Sequence, residues 1–200
     1  MLVAGGSGIT HTLGLAHDLI CKAAAQDAVR ATHLDIVWAV KTQETARPLI
    51  STFKTLIEDV KRAHLAVRVH IYITGAPSTS VVDLLSPSTQ EKMNAPFAMP
   101  GTMPGGVSRT TGGEAAWSCG SASRINIIPG QRPPIDRLLD ELTQSSIDFN
   151  SKTGSTGQGC GVAVCGPQSL VDTVRRATLN VDASTRLQIG GIELTQERFD

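Results

Sequence analysis

The chain alternates short, continuous apolar runs with longer segments whose apolar residues recur at helical spacing, and few folds accommodate that alternation. Residues 2–4 form an apolar run that passes at once into Gly5-Gly6-Ser7-Gly8. Ile9, Leu13, Ala16, Ile20 and Ala23 then recur at steps of three and four, which predicts a helix of about five turns. Residues 34–40 (LDIVWAV) are almost entirely apolar and β-favouring, as in a strand covered on both faces. Ala46, Leu49, Ile50, Phe53, Ile57 and Val60 trace one face of a second helix, with Pro48 tolerated in its first turn. In residues 67–74 (VRVHIYIT), Val67, Val69, Ile71 and Ile73 alternate with Arg68, His70 and Tyr72. Period two with one polar side predicts a strand at the edge of a sheet.

The rhythm breaks over residues 75–122, which are rich in Gly, Pro, Ser and Thr and carry no sustained apolar period. A loop this long is uncommon in a compact domain, so the stretch reads as a largely disordered insertion. One short helix is expected near residues 81–85, and Trp117 is a possible anchor at its end. Regularity returns with a strand at 124–128 (RINII) and a helix carrying Ile135, Leu138, Leu139 and Leu142 after Pro133-Pro134. A buried-type strand at 159–165 (GCGVAVC) leads through Gly166-Pro167 into a helix with Leu170, Val171 and Val174. Residues 189–194 read as the last strand. The whole therefore predicts a single α/β domain over 1–200, with a mainly parallel sheet of five to six strands and helices on both faces. No internal repeat is evident.

Charge narrows the function. Lys and Arg number 18 against 18 Asp and Glu, and a balanced chain is a poor match to the basic footprint of nucleic-acid binders. No apolar stretch approaches the ~18–20 residues that span a bilayer, and Met1 leads into a strand rather than a signal peptide. A soluble segment is expected. Cys21, Cys119, Cys160 and Cys165 make no CxxC pair and have no histidines at zinc spacing, so reduced thiols are expected and no metal site. His11, His17, His33, His64 and His70 are scattered, and no hydrolase motif is present.

In an open parallel sheet, ligands gather at the carboxyl ends of the strands. Those ends carry Gly5, Gly6, Ser7, Gly8, Ile9 and Thr10; Lys41; Thr74-Gly75; Gly130-Gln131-Arg132-Pro133; and Cys165-Gly166-Pro167. The glycine turn before a helix is either a phosphate cradle or a structural corner. It is not a P-loop, and His11 stands where a dinucleotide fingerprint has its third glycine. Cys165 is either a buried small hydrophobe or part of a second ligand-facing turn. Lys41 and Arg132 are either surface charges or anion contacts; a basic residue after the second strand would suit the extra phosphate of NADP.

Five motifs in order carry a resemblance: AGGSGIT at 4–10, VWAVK at 37–41, GQRPPI at 130–135, VAVCGP at 162–167 and the tail IELTQERFD. The chain resembles the C-terminal NAD(P)H-binding domain of fungal ferric-chelate reductases, relatives of the NADPH oxidases and of the ferredoxin-NADP reductase superfamily. The resemblance implies a ferredoxin-reductase-type nucleotide-binding fold in which NADPH passes hydride to FAD, and electrons go on to Fe(III) or Cu(II). It implies that Gly5, Gly6, Ser7, Gly8, Ile9 and Thr10 hold the pyrophosphate and nearby ribose. Lys41, Arg132 and Pro133 would line the adenosine 2′-phosphate side, and Cys165, Gly166 and Pro167 the nicotinamide. Phe199 resembles the aromatic residue that packs on the flavin, so Cys165 and Phe199 are the expected residues at the reacting rings. The flavin-binding barrel and the haem-carrying membrane helices of that family have no counterpart in these residues. The expected partners are therefore NADPH and the flavin domain of the same enzyme, on the cytoplasmic side of the plasma membrane, with no nucleic acid and no direct membrane insertion by this segment. Three departures stand out: His11, a chain that ends at Asp200 just past Phe199, and the missing flavin domain, without which activity is not expected. An NADPH oxidase-type domain and a non-catalytic nucleotide-binding module are the alternatives.

Overall fold

Six runs of the sequence become strands in a computed structural model that describes residues 1–25, 31–60, 65–75, 123–154, 157 and 159–198. They are β1 (Leu2–Gly5), β2 (His33–Val40), β3 (Ala66–Ile73), β4 (Arg124–Pro129), β5 (Cys160–Gly166) and β6 (Ile192–Arg198). They form one sheet in the order β4-β3-β2-β1-β5-β6, and every pairing is parallel. Helix α1 (Ile9–Ala24) joins β1 to β2, while α2 (Gln43–Ala46), a 3-10 turn at Arg47–Leu49 and α3 (Ile50–Val60) follow β2. Helix α4 (Ile135–Thr153) leads from β4 to β5, and α5 (Gln168–Asn180) and α6 (Ala183–Ile189) lie between β5 and β6.

Period-two alternation sends successive strand residues to opposite faces, and both faces here are apolar. Ala4, Ile36 and Trp38 pack with Ile9, Ala16 and Ile20 of α1 and Phe53 of α3. Val3, Val37 and Val164 pack with Leu139 of α4 and Val171 and Val174 of α5. Burial on both sides explains why β1, β2 and β5 read as continuous apolar runs. Among the described residues, no helix is long and apolar enough to cross a membrane.

The edge assignment of β3 is corrected. This strand lies between β2 and β4, and the edges are β4 and β6. Its polar side is roofed by α4: His70 is 7% exposed and shares a small pocket with Leu138 and Glu141 of that helix. Arg68 can be buried because Asp35 stands opposite it in register on β2. The guanidinium clasps both carboxylate oxygens, with Nη2 donating to Oδ2 at 2.7 Å. A bidentate pair of this kind satisfies both charges away from water.

The last strand is also corrected. Ile189 ends α6, and β6 begins at Ile192. Asp182 caps α6 by accepting from the Thr185 backbone N–H, and Gly190, at φ 85°, closes it in the left-handed conformation that glycine adopts freely. Apart from Gly75, the 75–122 insertion, its short helix at 81–85 and Trp117 lie outside the described residues.

Removing Asp35 takes the bidentate carboxylate away from a buried guanidinium. Asp35→Ala is expected to cost about 3–5 kcal/mol in urea unfolding, and the double variant Asp35→Leu/Arg68→Met to cost less than the single one. Burial, first of all, lowers the pKa of both His33 and His70 below the ordinary histidine value. Below the ordinary value the unfolded chain takes up protons that the folded chain does not, so stability falls as pH drops from 7.5 to 5.5. His70→Phe should flatten that slope in urea midpoints measured across the window.

Candidate functional site

The connection from β1 runs through α1 on one face of the sheet, and the connection from β4 returns to β5 through α4 on the other. The crossover direction thus reverses between β1 and β5, and in such sheets a crevice opens there at the carboxyl ends. Two turns meet at that point. After β1, Gly6, Ser7 and Gly8 form a 3-10 turn that feeds α1. After β5, Cys165-Gly166-Pro167 feeds α5, with Pro167 at its N-cap position.

The two turns touch backbone to backbone. A Cβ placed on Gly8 would lie 2.2 Å from the Cys165 carbonyl oxygen, so no other residue fits there without moving β5. Gly6 is different: at φ 54° it needs the left-handed region, and a Cβ on it would meet nothing within 4 Å. One glycine lets the turns close on each other, and the other leaves an open backbone surface above them. The amide ends of α1 and α5 both face this edge, where unpaired N–H groups and aligned peptide dipoles favour an anion.

The carbonyls of the first turn are tied down. The Gly6 carbonyl accepts from the Trp38 indole N–H at 2.9 Å, the Ser7 carbonyl from the Thr10 hydroxyl at 3.1 Å, and the Gly8 carbonyl from the Thr12 hydroxyl at 3.2 Å. Gly6, Ser7 and Thr10 are exposed, whereas Gly5, Gly8 and Ile9 are buried. The Ile9 side chain belongs to the apolar cluster under α1, so only its backbone can face the edge.

Lys41 is exposed at the end of β2, next to β1, and its carbonyl accepts from the Gly75 N–H at 2.9 Å. Thr42 after it caps α2 by accepting from the Thr45 N–H. Arg132 is exposed in the connection from β4 to α4, with Pro133 half-buried beside it. β3 separates the ends of β2 and β4, which at ordinary strand spacing sets them roughly 10 Å apart. The structure therefore brings Gly5, Gly6, Ser7, Gly8 and Thr10 together with Cys165, Gly166 and Pro167, places Lys41 one strand away, and sets Arg132 farther along the same edge. Phe199 lies outside the described residues. His11 is exposed on the first turn of α1.

Cys165 is 1% exposed, and Glu197 stands opposite it in register on β6. Burial pushes the thiol pKa up, and the Glu197 carboxylate adds to the shift. The sulfur is therefore a neutral, polarizable thiol at physiological pH rather than a thiolate nucleophile.

Trp38 and Glu197 escaped the residue-by-residue reading. The signal for Trp38 was an indole donor inside a mostly apolar strand. For Glu197 it was the strand register, which requires knowing that β6 pairs with β5. A cavity of about 390 Å³ lies at the opposite edge of the sheet, lined among others by Thr32, His33, Phe149 and Cys160. It is remote from both turns.

The comparisons with known proteins agree with this architecture. No curated protein matched the sequence. The family described as the ferric reductase NAD binding domain matches residues 1–179, a span that runs from before β1 into the last turn of α5 and includes both glycine turns. The chain belongs to the ferric reductase NAD-binding domain family.

Proposed function

We propose that this domain binds NADPH along the carboxyl edge of β2, β1 and β5 and positions it for hydride transfer to FAD in a ferric-chelate reductase. The observation that carries the reading is the backbone contact between the turns after β1 and β5, which builds a cradle at the crossover reversal. The exposed Gly6-Ser7 backbone and the start of α1 suit a pyrophosphate, since amides there donate without a desolvated counter-charge. Lys41 and Arg132 supply cations on the β2–β4 side, where they suit the adenosine 2′-phosphate. Cys165-Gly166-Pro167 lies on the other side of β1, which suits the nicotinamide.

When bound, the nicotinamide supplies the hydride, and the chemistry belongs to the cofactors. The contribution of this chain is to hold and orient. The neutral Cys165 thiol, buried at the strand end, puts no charge near the ring. Phe199, near the end of the chain, is proposed as the aromatic neighbour of the flavin. The flavin domain is the partner in this reading and lies on another segment of a longer membrane enzyme, facing the cytoplasm. From there electrons would go on to Fe(III) or Cu(II).

Titration of the purified chain with NADPH and NADH tests the cofactor. NADPH is expected to bind more tightly, and Lys41→Ala with Arg132→Ala should weaken NADPH roughly tenfold or more while leaving NADH little changed. Equal affinities in the unsubstituted chain would sink the preference. The cradle has its own test. Gly8→Ala must displace the Cys165 backbone and should cost about 1–3 kcal/mol in stability together with nucleotide binding. Gly14→Ala, on α1 with nothing within 4 Å of the added Cβ, should instead stabilise by roughly 0.5–1 kcal/mol and leave binding intact.

A further inference from the structure

Trp38 is fully enclosed, at 1% exposed, and its ring packs against Phe53 with centroids 6.0 Å apart. A phenylalanine would keep an aromatic ring against Phe53, although it would fill less of the site. What tryptophan adds is a donor, and the donor is spent on one atom: the Gly6 carbonyl, 32 residues away in sequence, at 2.9 Å. A buried indole N–H without a partner is costly, so the bond selects one orientation of the Gly6-Ser7 peptide.

That orientation decides what the turn offers a ligand. A trans peptide is planar, and its carbonyl and the following N–H point in opposite directions. Drawing the Gly6 carbonyl down to Trp38 therefore turns the Ser7 N–H away from the core, on the exposed side of the turn. Gly6 sits at φ 54°, a conformation from which the peptide could otherwise swing, since glycine has other allowed regions of nearly equal energy. The opposite orientation would present a carbonyl dipole to an anion and repel it. Thr10 and Thr12 engage the next two carbonyls, so the negative ends of three successive peptides are all occupied by donors.

We propose that Trp38 is a positioning residue for the pyrophosphate: its indole N–H holds the Gly6 carbonyl inward so that the Ser7 amide is presented to the dinucleotide. This rests on the nucleotide reading above and deepens it. Trp38 touches no ligand itself; it acts through one peptide plane, from the strand beside the turn.

The test removes the donor and keeps the ring. In the full chain, Trp38→Phe should weaken NADP⁺ binding roughly tenfold while leaving 2′-AMP, which lacks the pyrophosphate, bound as before. Phe53→Leu disturbs the same packing but keeps the donor, so it should lower stability without changing the NADP⁺-to-2′-AMP ratio. If Trp38→Phe fails to fold, benzothienylalanine at position 38 in a Trp117→Phe background replaces only the N–H with sulfur, and the same ratio should fall. An unchanged ratio in the variant that lacks the donor overturns the proposal and leaves the nucleotide reading standing. Parallel losses for both ligands overturn it as well, because they mark a general structural defect. An unsubstituted chain that binds neither ligand removes the nucleotide reading, and the role of Trp38 with it.

Discussion

The contact between the Gly8 position and the Cys165 carbonyl governs the upper edge of this domain. Two main chains approach there more closely than any side chain would permit. Because β1 and β5 are hydrogen-bonded neighbours with Leu2, Val3 and Ala4 in register with Ala163, Val164 and Cys165, the approach is inherited from the sheet rather than made by the loops. The turns meet without a side chain between them, while Trp38, Thr10 and Thr12 engage the carbonyls of the first turn from below and beside it. Residues that look unremarkable alone, a glycine and a carbonyl, set the geometry of everything placed above them.

The same sheet carries its charges differently on its two sides. The face under α1 and α3 is apolar and contains the Trp38–Phe53 pair. The face under α4 admits the Asp35–Arg68 pair, with His70 beside it. A buried pair of this kind is seldom better than apolar packing for stability, but it penalises any register in which the two partners do not meet. In a parallel sheet of similar β-branched strands, that penalty favours one alignment of β2 with β3.

Much of this was legible in the sequence because strands buried on both faces must be apolar throughout, and helices between them must carry a single apolar stripe. The alternation of strands and helices as far as α5 follows from that, and the glycines at 5–8 and 166 mark the two turns. The reading failed at β3, where polar alternation ordinarily means solvent; Arg68 is buried only because Asp35 lies across from it, and sequence does not display register. It failed again at Ile189, an apolar residue that ends a short helix, although Asp182 and Gly190 were its cap and stop. The role of Trp38 was hidden for a related reason. Its partner is a backbone atom, and backbone atoms have no letter in a sequence.

The buried thiol of Cys165 has a consequence for durability. Peroxides attack thiolates far faster than thiols, and a sulfur kept protonated by burial and by Glu197 presents little of the reactive form. Sulfur brings softness and small size to the strand end without bringing an oxidisable nucleophile. A cysteine can thus stand at the strand end and remain chemically a spectator, so that the edge keeps its shape under oxidising conditions.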